Sequence, residues 1–469
     1  MNFNYPIYFV HYGIGWRDGV NTALRNLAKG ILKISPKTKI IFIGGEIKEK
    51  IIKGADYLEI PELKPPPKRG STDKKKAQAL GEKIAQKLAL ATEKGGRVII
   101  ENPFLGNYHL PAMLGFSFYA QRYKPQKIKL FFRIHDLYLN SSKYRQPLRY
   151  FSKSEIKGLI NNKGVDKFFV VKSLRKKELI SLGVSSQKIF YLPNGVDAEI
   201  FSFNLAQKEK KKIYRQVFPK NYQKERFEII LYPVRVVPRK NIEEAILLVY
   251  LLRKITGINY ALVISGKIDA NDPRSKEYYQ DLLKLKRMVD YPVIFCKGKF
   301  PFERAENKYG IGNLYQISSA IIMTSIEEGF GYPYLEAWFG RKFLIGRKIN
   351  DIINDFSRFG LDFSWLYPAL KFNTIKDIGK WGGKTSDLYK KRIKLIMNIL
   401  GSEQKQKDFL NLNRKIILQA KLLQDPCKQQ EIILKNFKAA QKHFSINEIA
   451  KKFLKLISKN ENYKSRQYQ

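Results

Sequence analysis

The densest set of reactive side chains lies in Ser325–Ala337, SIEEGFGYPYLEA, directly after the apolar run Ala320–Thr324. Glu328 precedes Gly329-Phe330-Gly331, and Pro333 suits the first turn of a helix, so a glycine turn opening a helix near Pro333 is expected. The unpaired N–H groups of such a turn and helix start converge on one point and suit a phosphate. Carboxylates repel a bare phosphate, so Glu328, and Glu336 one turn inside the helix, are expected to bind hydroxyl groups of a sugar or ribose flanking a diphosphate. The bland alternative is a pair of acids that only serve the helix dipole. A cationic set, Arg235, Arg239 and Lys240, follows the apolar run Glu228–Val234 and precedes a helix opening at Asn241. Arginine bridges phosphate oxygens through paired N–H groups and lysine adds a point charge, which suits a diphosphate leaving group. In so basic a chain the alternative is solvated surface cations. From their place after a strand, Arg235 and Lys240 are expected to be open to ligand and to matter little for stability.

A third loop, His11–Val20, carries Gly13, Gly15 and Gly19 as Gly-x-Gly-x-x-x-Gly, one residue longer than the dinucleotide fingerprint. The helix expected from Val20 would offer its first amides to an anion, and a ligand-free tight turn is the competing reading. Gly383-Lys384-Thr385 is no phosphate loop, because Ile378 stands where the first glycine is required and no strand precedes it. Cys296 and Cys427 fit no metal or redox spacing, and no Asp-x-Asp occurs. No metal site is expected.

The elements that must position these residues repeat a simple pattern. PIYFVHYG, KIIFIGG, RVIIENP, KLFFRIHD, KFFVVKS and KIFYLPNG are apolar on both faces and end in turn residues, as buried strands do. Helical segments lie between them, at Val20–Lys33, Lys74–Lys94 and Asn107–Lys124. Such alternation implies a parallel, doubly wound sheet. After a polar, Lys-rich interval, Ala206–Arg226, the pattern restarts with EIILYPVR, helix Asn241–Ile255, YALVISGK, helix Lys276–Asp290, PVIFCKGK, SAIIMTS and KFLIGR. Beyond Ile349 the chain reads as helical and polar, with Ile446–Leu456 amphipathic, while the aromatic stretch Leu361–Leu370 is expected to dock on the body. Ligands bind outside the carboxyl ends of such strands, where each residue set above falls.

Of 469 residues, 44% are hydrophobic and 13% aromatic, which excludes an extended disordered chain and a small disulfide scaffold. The longest apolar stretch, Ala245–Leu252, is far short of the roughly 20 residues of a membrane-spanning helix. The first residues lack a cationic region before an apolar stretch, so no secretory leader is expected and the default location is cytoplasmic. Lys and Arg number 87 against 42 Asp and Glu, a net charge of +45. Such a field draws nucleic acid, anionic lipid or small anions, or it reflects a general lysine bias. The basic residues are spread along helical segments, and no nucleic-acid-binding signature accompanies them.

Taken together, FYLPNGVDAEIF near the domain junction, the Arg235–Lys240 cluster and the Glu-x7-Glu pair of Glu328 and Glu336 resemble a retaining glycosyltransferase of family 4. The resemblance runs in consistent order over most of the chain. It implies an α/β chain of GT-B fold, with two Rossmann-like doubly wound parallel-sheet domains facing across a cleft and a helical C-terminal extension. The implied boundaries are 1–200 for an acceptor-side domain, 201–440 for a nucleotide-sugar domain, and 441–469 for a helix packing back on the first domain with a flexible tail. The implied activity is metal-independent transfer of a hexose from a nucleoside-diphosphate sugar, a co-substrate and no cofactor, to an acceptor hydroxyl with retention. In this reading Glu328 contacts the donor sugar and Glu336 the ribose, with the turn Gly329, Phe330 and Gly331 beside them. Arg235 and Lys240 neutralise the diphosphate, the loop Gly15–Gly19 closes over it, and His135 in FRIHD meets the donor sugar through a neutral imidazole. A buried histidine satisfied by backbone is the competing reading of His135. Two departures mark the chain: Val234 stands where a glycine is usual, and Phe343–Arg347 with 348–355 replaces the usual apolar strand after the motif helix, so an unusual donor pocket is expected. ENPFLGNYHLPA with FRIHD is similar to family members of the sucrose-phosphate and glucosylglycerate type, which act on small soluble acceptors, and a sugar or sugar-containing small molecule is the expected acceptor. A lipid-linked acceptor and peripheral contact with an anionic membrane stay open, whereas nucleic acid is not expected. The rival classes are a non-catalytic nucleotide-sugar-binding protein and a basic nucleic-acid or membrane-surface protein on the same scaffold.

Overall fold

The structure, a computed structural model, describes residues 5–16, 18–66, 73–104, 106–137, 151–201, 204–268, 273–301, 309–372 and 385–458. Gly383-Lys384 and the chain end beyond 458 lie outside them. Two compact units form: the described residues up to Gly195 with those from Phe444 onward, and those of Val196–His443.

The first unit holds a wholly parallel sheet of seven strands: β1 (Ile7–His11), β2 (Ile40–Gly44), β3 (Asp56–Glu59), β4 (Gly96–Glu101), β5 (Ile128–Ile134), β6 (Lys167–Val170) and β7 (Ile189–Tyr191). Their order is β3-β2-β1-β4-β5-β6-β7. Every named apolar run of this half forms a strand, and most of their residues are buried as in a sheet covered on both faces, with Phe190 and Tyr191 of β7 half-buried. The sequence gives no sign of β3, DYLE, an exposed edge strand held by its ladder to β2 and not by burial. The helix Ile446–Ser458 packs on Gly19–Ile34 of this unit. Their approach is close enough that a side chain at Gly30 would strike the Ile446 carbonyl, and the last carbonyls of Ile446–Ser458 accept from Lys167 and Arg97.

In the second unit five parallel strands, β8 (Glu228–Tyr232), β9 (Tyr260–Ile264), β10 (Val293–Phe295), β11 (Ala320–Met323) and β12 (Phe343–Gly346), run in the order β10-β9-β8-β11-β12. Here two expectations are corrected. Phe343–Gly346 does form the strand after the motif helix, paired with β11 from Ala320↔Phe343 to Met323↔Gly346. Only the following 350–357 is helical. The polar interval after Ala206 also contains a helix, Gln207–Val217, anchored by buried Ile213 and Val217. Leu361–Leu370 does dock, burying Phe363, Trp365, Leu366 and Tyr367, and the Trp365 indole N–H donates to the Leu344 carbonyl at 2.6 Å. Among the described residues no helix is long and apolar enough to cross a membrane.

Strand order reverses between β1 and β4 in the first sheet and between β8 and β11 in the second. Crevices open at such switch points, outside the carboxyl ends of the strands. The loops after β8 and β11 therefore meet by topology, although 88 residues separate Lys240 from Glu328.

Candidate active site

The two loops of the second unit are clamped together before any ligand is considered. Tyr232, last in β8, donates from its hydroxyl to the Lys240 carbonyl at 2.5 Å and lies 3.0 Å from the Ser325 hydroxyl. The Ile326 amide donates to the Arg239 carbonyl at 3.0 Å, and Asn241, held at φ 53°, donates through Nδ2 to the Thr324 carbonyl at 3.1 Å. The glycine missing before Arg235 is compensated across the sheet. The Val234 carbonyl accepts from the Gly266 amide at 3.1 Å, and a Cβ on Gly266 would sit 2.1 Å from that oxygen.

This clamp sets the charges. Lys240 Nζ donates to Glu328 Oε1, and Arg239 Nη1 reaches the Glu327 carbonyl at 2.8 Å and Glu328 Oε2 at 3.5 Å. Burial works to raise the Glu328 carboxyl, but the Lys240 ammonium first and Arg239 next hold it at about 2. Burial likewise pushes Lys240 down to about 8 against the pull of Glu328. At neutral pH the two form an ionised buried pair. The expectation of an open, stability-neutral Lys240 is corrected: its side chain is 8% exposed and neutralised by Glu328. Arg235 is exposed, as expected.

Gly331 caps the helix Tyr332–Phe339 at φ 88°, where a side chain would be strained and would press on Ile352 and Tyr334. Pro333 sits in its first turn, as the sequence predicts. The Phe330 ring is packed between Tyr332 and Phe356, so only its backbone is left to serve a ligand beside Gly329. Glu336 is buried, accepts from the Tyr315 hydroxyl at 3.0 Å and, among the described residues, has no cation in direct contact. Desolvation raises it to about 7.

A raised carboxyl means that the folded protein keeps a proton that the unfolded chain has released. The stability from Glu336 is therefore complete below about pH 4.5 and lost as pH rises through about 7. Glu336→Gln keeps an oxygen for Tyr315 and removes the charge. It is expected to melt near the native temperature at pH 5 and well above it at pH 8, a difference of about 3 kcal/mol. An unchanged pH slope in thermal denaturation would refute this.

In the first unit Gly15 and Gly19 stand apart in role. Gly15 has φ 76°, and a side chain there would strike the backbone of Glu49; its amide donates to Asn21 Oδ1 at 2.9 Å. Gly19 opens the helix Gly19–Ile34 and is exposed. Asp18 caps that helix by accepting from the Asn21 amide at 2.8 Å, so a carboxylate stands where an anion was expected. Trp16 folds over Gly13 and donates to Glu46 at 3.1 Å.

His135 follows β5 and is buried, but its partner is not backbone: Nε2 lies 2.6 Å from the Glu101 carboxylate. Sequence reasoning missed Glu101, Arg239 as a Glu328 partner, and Tyr315. For Glu101 a signal existed, an acid closing RVIIE beside an arginine inside KLFFRI, two charges in runs that are otherwise buried. Among the described residues no three His, Cys, Asp or Glu side chains gather as a metal site.

The family model described as Glycosyl transferases group 1 matches residues 214–349. Mannosylglucosyl-3-phosphoglycerate synthase of Petrotoga mobilis is 26% identical over 378 residues, 75% of this chain. The match spans only 66% of that relative's length. Among solved structures, a glycosyltransferase from Rickettsia africae aligns at TM-score 0.59 and 17% identity over 97% of this chain and 98% of its own. HepE of Anabaena, in complex with UDP and glucose, aligns at 0.58 and 14% over 97% and 100%. Identities this low speak for the fold alone. The family-model match thus falls where the charged cluster sits: residues 214–349 match the group 1 glycosyl transferases, in a chain whose two parallel sheets have the GT-B fold.

Proposed function

We propose that the protein is a cytoplasmic, retaining, metal-independent glycosyltransferase that moves a hexose from a nucleoside-diphosphate sugar to a hydroxyl of a small saccharide acceptor. The observation that carries this reading is the constellation at the β8/β11 switch point: a buried Lys240–Glu328 pair, Arg239 against it, exposed Arg235 nearby, and buried Glu336 with Tyr315 as its hydrogen-bond donor. Arg235 and Lys240 take the diphosphate, and its charge lets Lys240 exchange part of its pairing with Glu328. Glu328, anionic at any working pH, accepts from hydroxyls of the transferring sugar. Among the described residues Glu336 has one donor, Tyr315, and its spare lone pairs suit the ribose hydroxyls. His135 hydrogen-bonds a sugar hydroxyl. The bond from the anomeric carbon to the diphosphate breaks, the acceptor oxygen bonds to that carbon on the same face, and its proton passes to the departing diphosphate. Configuration is retained without a side-chain nucleophile.

The Petrotoga relative's name points to a glycerate-bearing saccharide as the first acceptor to test. Incubation with UDP-, GDP- and ADP-sugars, alone and with such acceptors, should reveal one donor that is consumed, with the product keeping the donor's anomeric configuration by NMR. Cationic side chains do the electrostatic work of a metal here. Excess chelator should therefore leave the rate within about twofold, and a reversible loss of most activity would reject metal independence. Tight nucleotide-sugar binding without turnover would favour the non-catalytic class.

A further inference from the structure

Beside the switch point of the first sheet, where β4 and β5 end, lies a second set of charged side chains. Glu101, last in β4, pairs in register with Arg133 of β5; both are fully buried, and His135 nearly so. Arg133 Nη1 donates to Glu101 Oε1 at 3.2 Å, while His135 Nε2 lies 2.6 Å from Oε2. Arg133 Nη2 donates to Asn194 Oδ1 at 2.7 Å. The backbone is fixed as well. Asn102, at φ 53°, accepts through Oδ1 from the amides of His135 and Asp136 at 2.9 and 3.0 Å, and its carbonyl accepts from the Tyr12 hydroxyl at 2.8 Å.

Burial works to raise the Glu101 carboxyl, and Arg133 foremost, then His135, holds it below the usual carboxylate range. Ionised, it is acceptor-only, so the 2.6 Å contact has one direction: Nε2–H donates. A neutral imidazole so held carries its lone pair on Nδ1, for which no protein hydrogen bond exists among the described residues.

We propose that Glu101 is a positioning residue that holds His135 in the Nε2–H tautomer, so that Nδ1 accepts a hydrogen bond from a hydroxyl of the bound substrate. This rests on the reading of His135 as a sugar-binding side chain; Glu101 itself touches no substrate. The consequence of removing its charge is specific. In Glu101→Gln the Arg133 N–H still requires an oxygen, which turns the carboxamide NH2 toward His135. Nε2 must then accept, the proton moves to Nδ1, and the atom offered to substrate changes from acceptor to donor.

Nitrogen NMR of histidine-labelled protein reads the tautomer without turnover. The chain has four histidines, and His135 is assigned by its absence from the His135→Ala spectrum. At pH 8 the native protein should show His135 protonated on Nε2 alone, and Glu101→Gln should shift that proton to Nδ1. With the nucleotide sugar found in the donor screen, Glu101→Gln should lower kcat about 10- to 100-fold with KM little changed. Added to His135→Ala, it should cost nothing more. A native proton on Nδ1, an unchanged tautomer in Glu101→Gln, or an equal loss in the His135→Ala background overturns the proposal. If Glu101→Gln does not fold, the native spectrum decides. Should the tautomer be as stated while His135→Ala transfers sugar normally, the sugar-binding reading of His135 fails, and the substrate half of the proposal with it.

Discussion

Lys240→Ala is expected to cost about 100-fold or more in turnover and also to lower the melting temperature, whereas Arg235→Ala should lose comparable turnover with almost no change in stability. The common loss follows from leaving-group charge, since removing one preorganised stabiliser costs about 3 kcal/mol in the transition state. The difference follows from burial. Lys240 is buried against Glu328, so truncation leaves a carboxylate without its principal counter-ion, a change that in buried pairs costs about 3–5 kcal/mol. Arg239 softens this by remaining 3.5 Å from Oε2. Arg235 is exposed, and surface substitutions of that kind stay within about 0.5 kcal/mol. Turnover assays and thermal denaturation on both variants make the test. Near-native turnover in either would show that the diphosphate binds elsewhere, and equal melting temperatures would show that the Lys240–Glu328 pair contributes no stability.

Glu328→Gln should impair transfer about 100-fold or more while leaving nucleoside diphosphate affinity within a few-fold at pH 6; Glu336→Gln should instead weaken the free diphosphate. The split reflects two environments. Glu328 is held ionised by Lys240 and Arg239, so its loss removes a charged acceptor from the sugar. Among the described residues Glu336 has only Tyr315 as a donor, and it waits for hydroxyl donors. Loss of Glu328 has a further effect, because its charge is what opposes the burial of Lys240. Without it the lysine should deprotonate below its present value of about 8, so turnover of Glu328→Gln should fall as pH rises through a lower value than in the native protein. Calorimetry with diphosphate and with intact donor, plus a pH–rate profile, reads all three. Equal effects of both glutamines on both ligands would refute the split.

The sequence alone determined the alternation of buried strands and helices, because a parallel sheet covered on both faces demands continuous apolar runs such as LFFRI and AIIM, which little else explains. It also determined which loops could carry chemistry, since Glu328, Lys240 and His135 each follow such a run. Local pattern was blind where stability comes from a neighbour. β3 is polar and exposed and exists through its ladder to β2, and Gly15 is spent on a close approach to Glu49. Only the tertiary structure decided which charges meet. Lys240 and Glu328 are 88 residues apart and meet at the switch point between β8 and β11, while Arg133 and Glu101 are 32 apart and meet because β5 lies in register beside β4. Spacing along the chain holds no record of strand order. Burial then sets their ionisation, turning residues that look like solvated acids and bases into a carboxylate held at about 2, another raised to about 7, and a histidine whose Nε2 faces a buried glutamate.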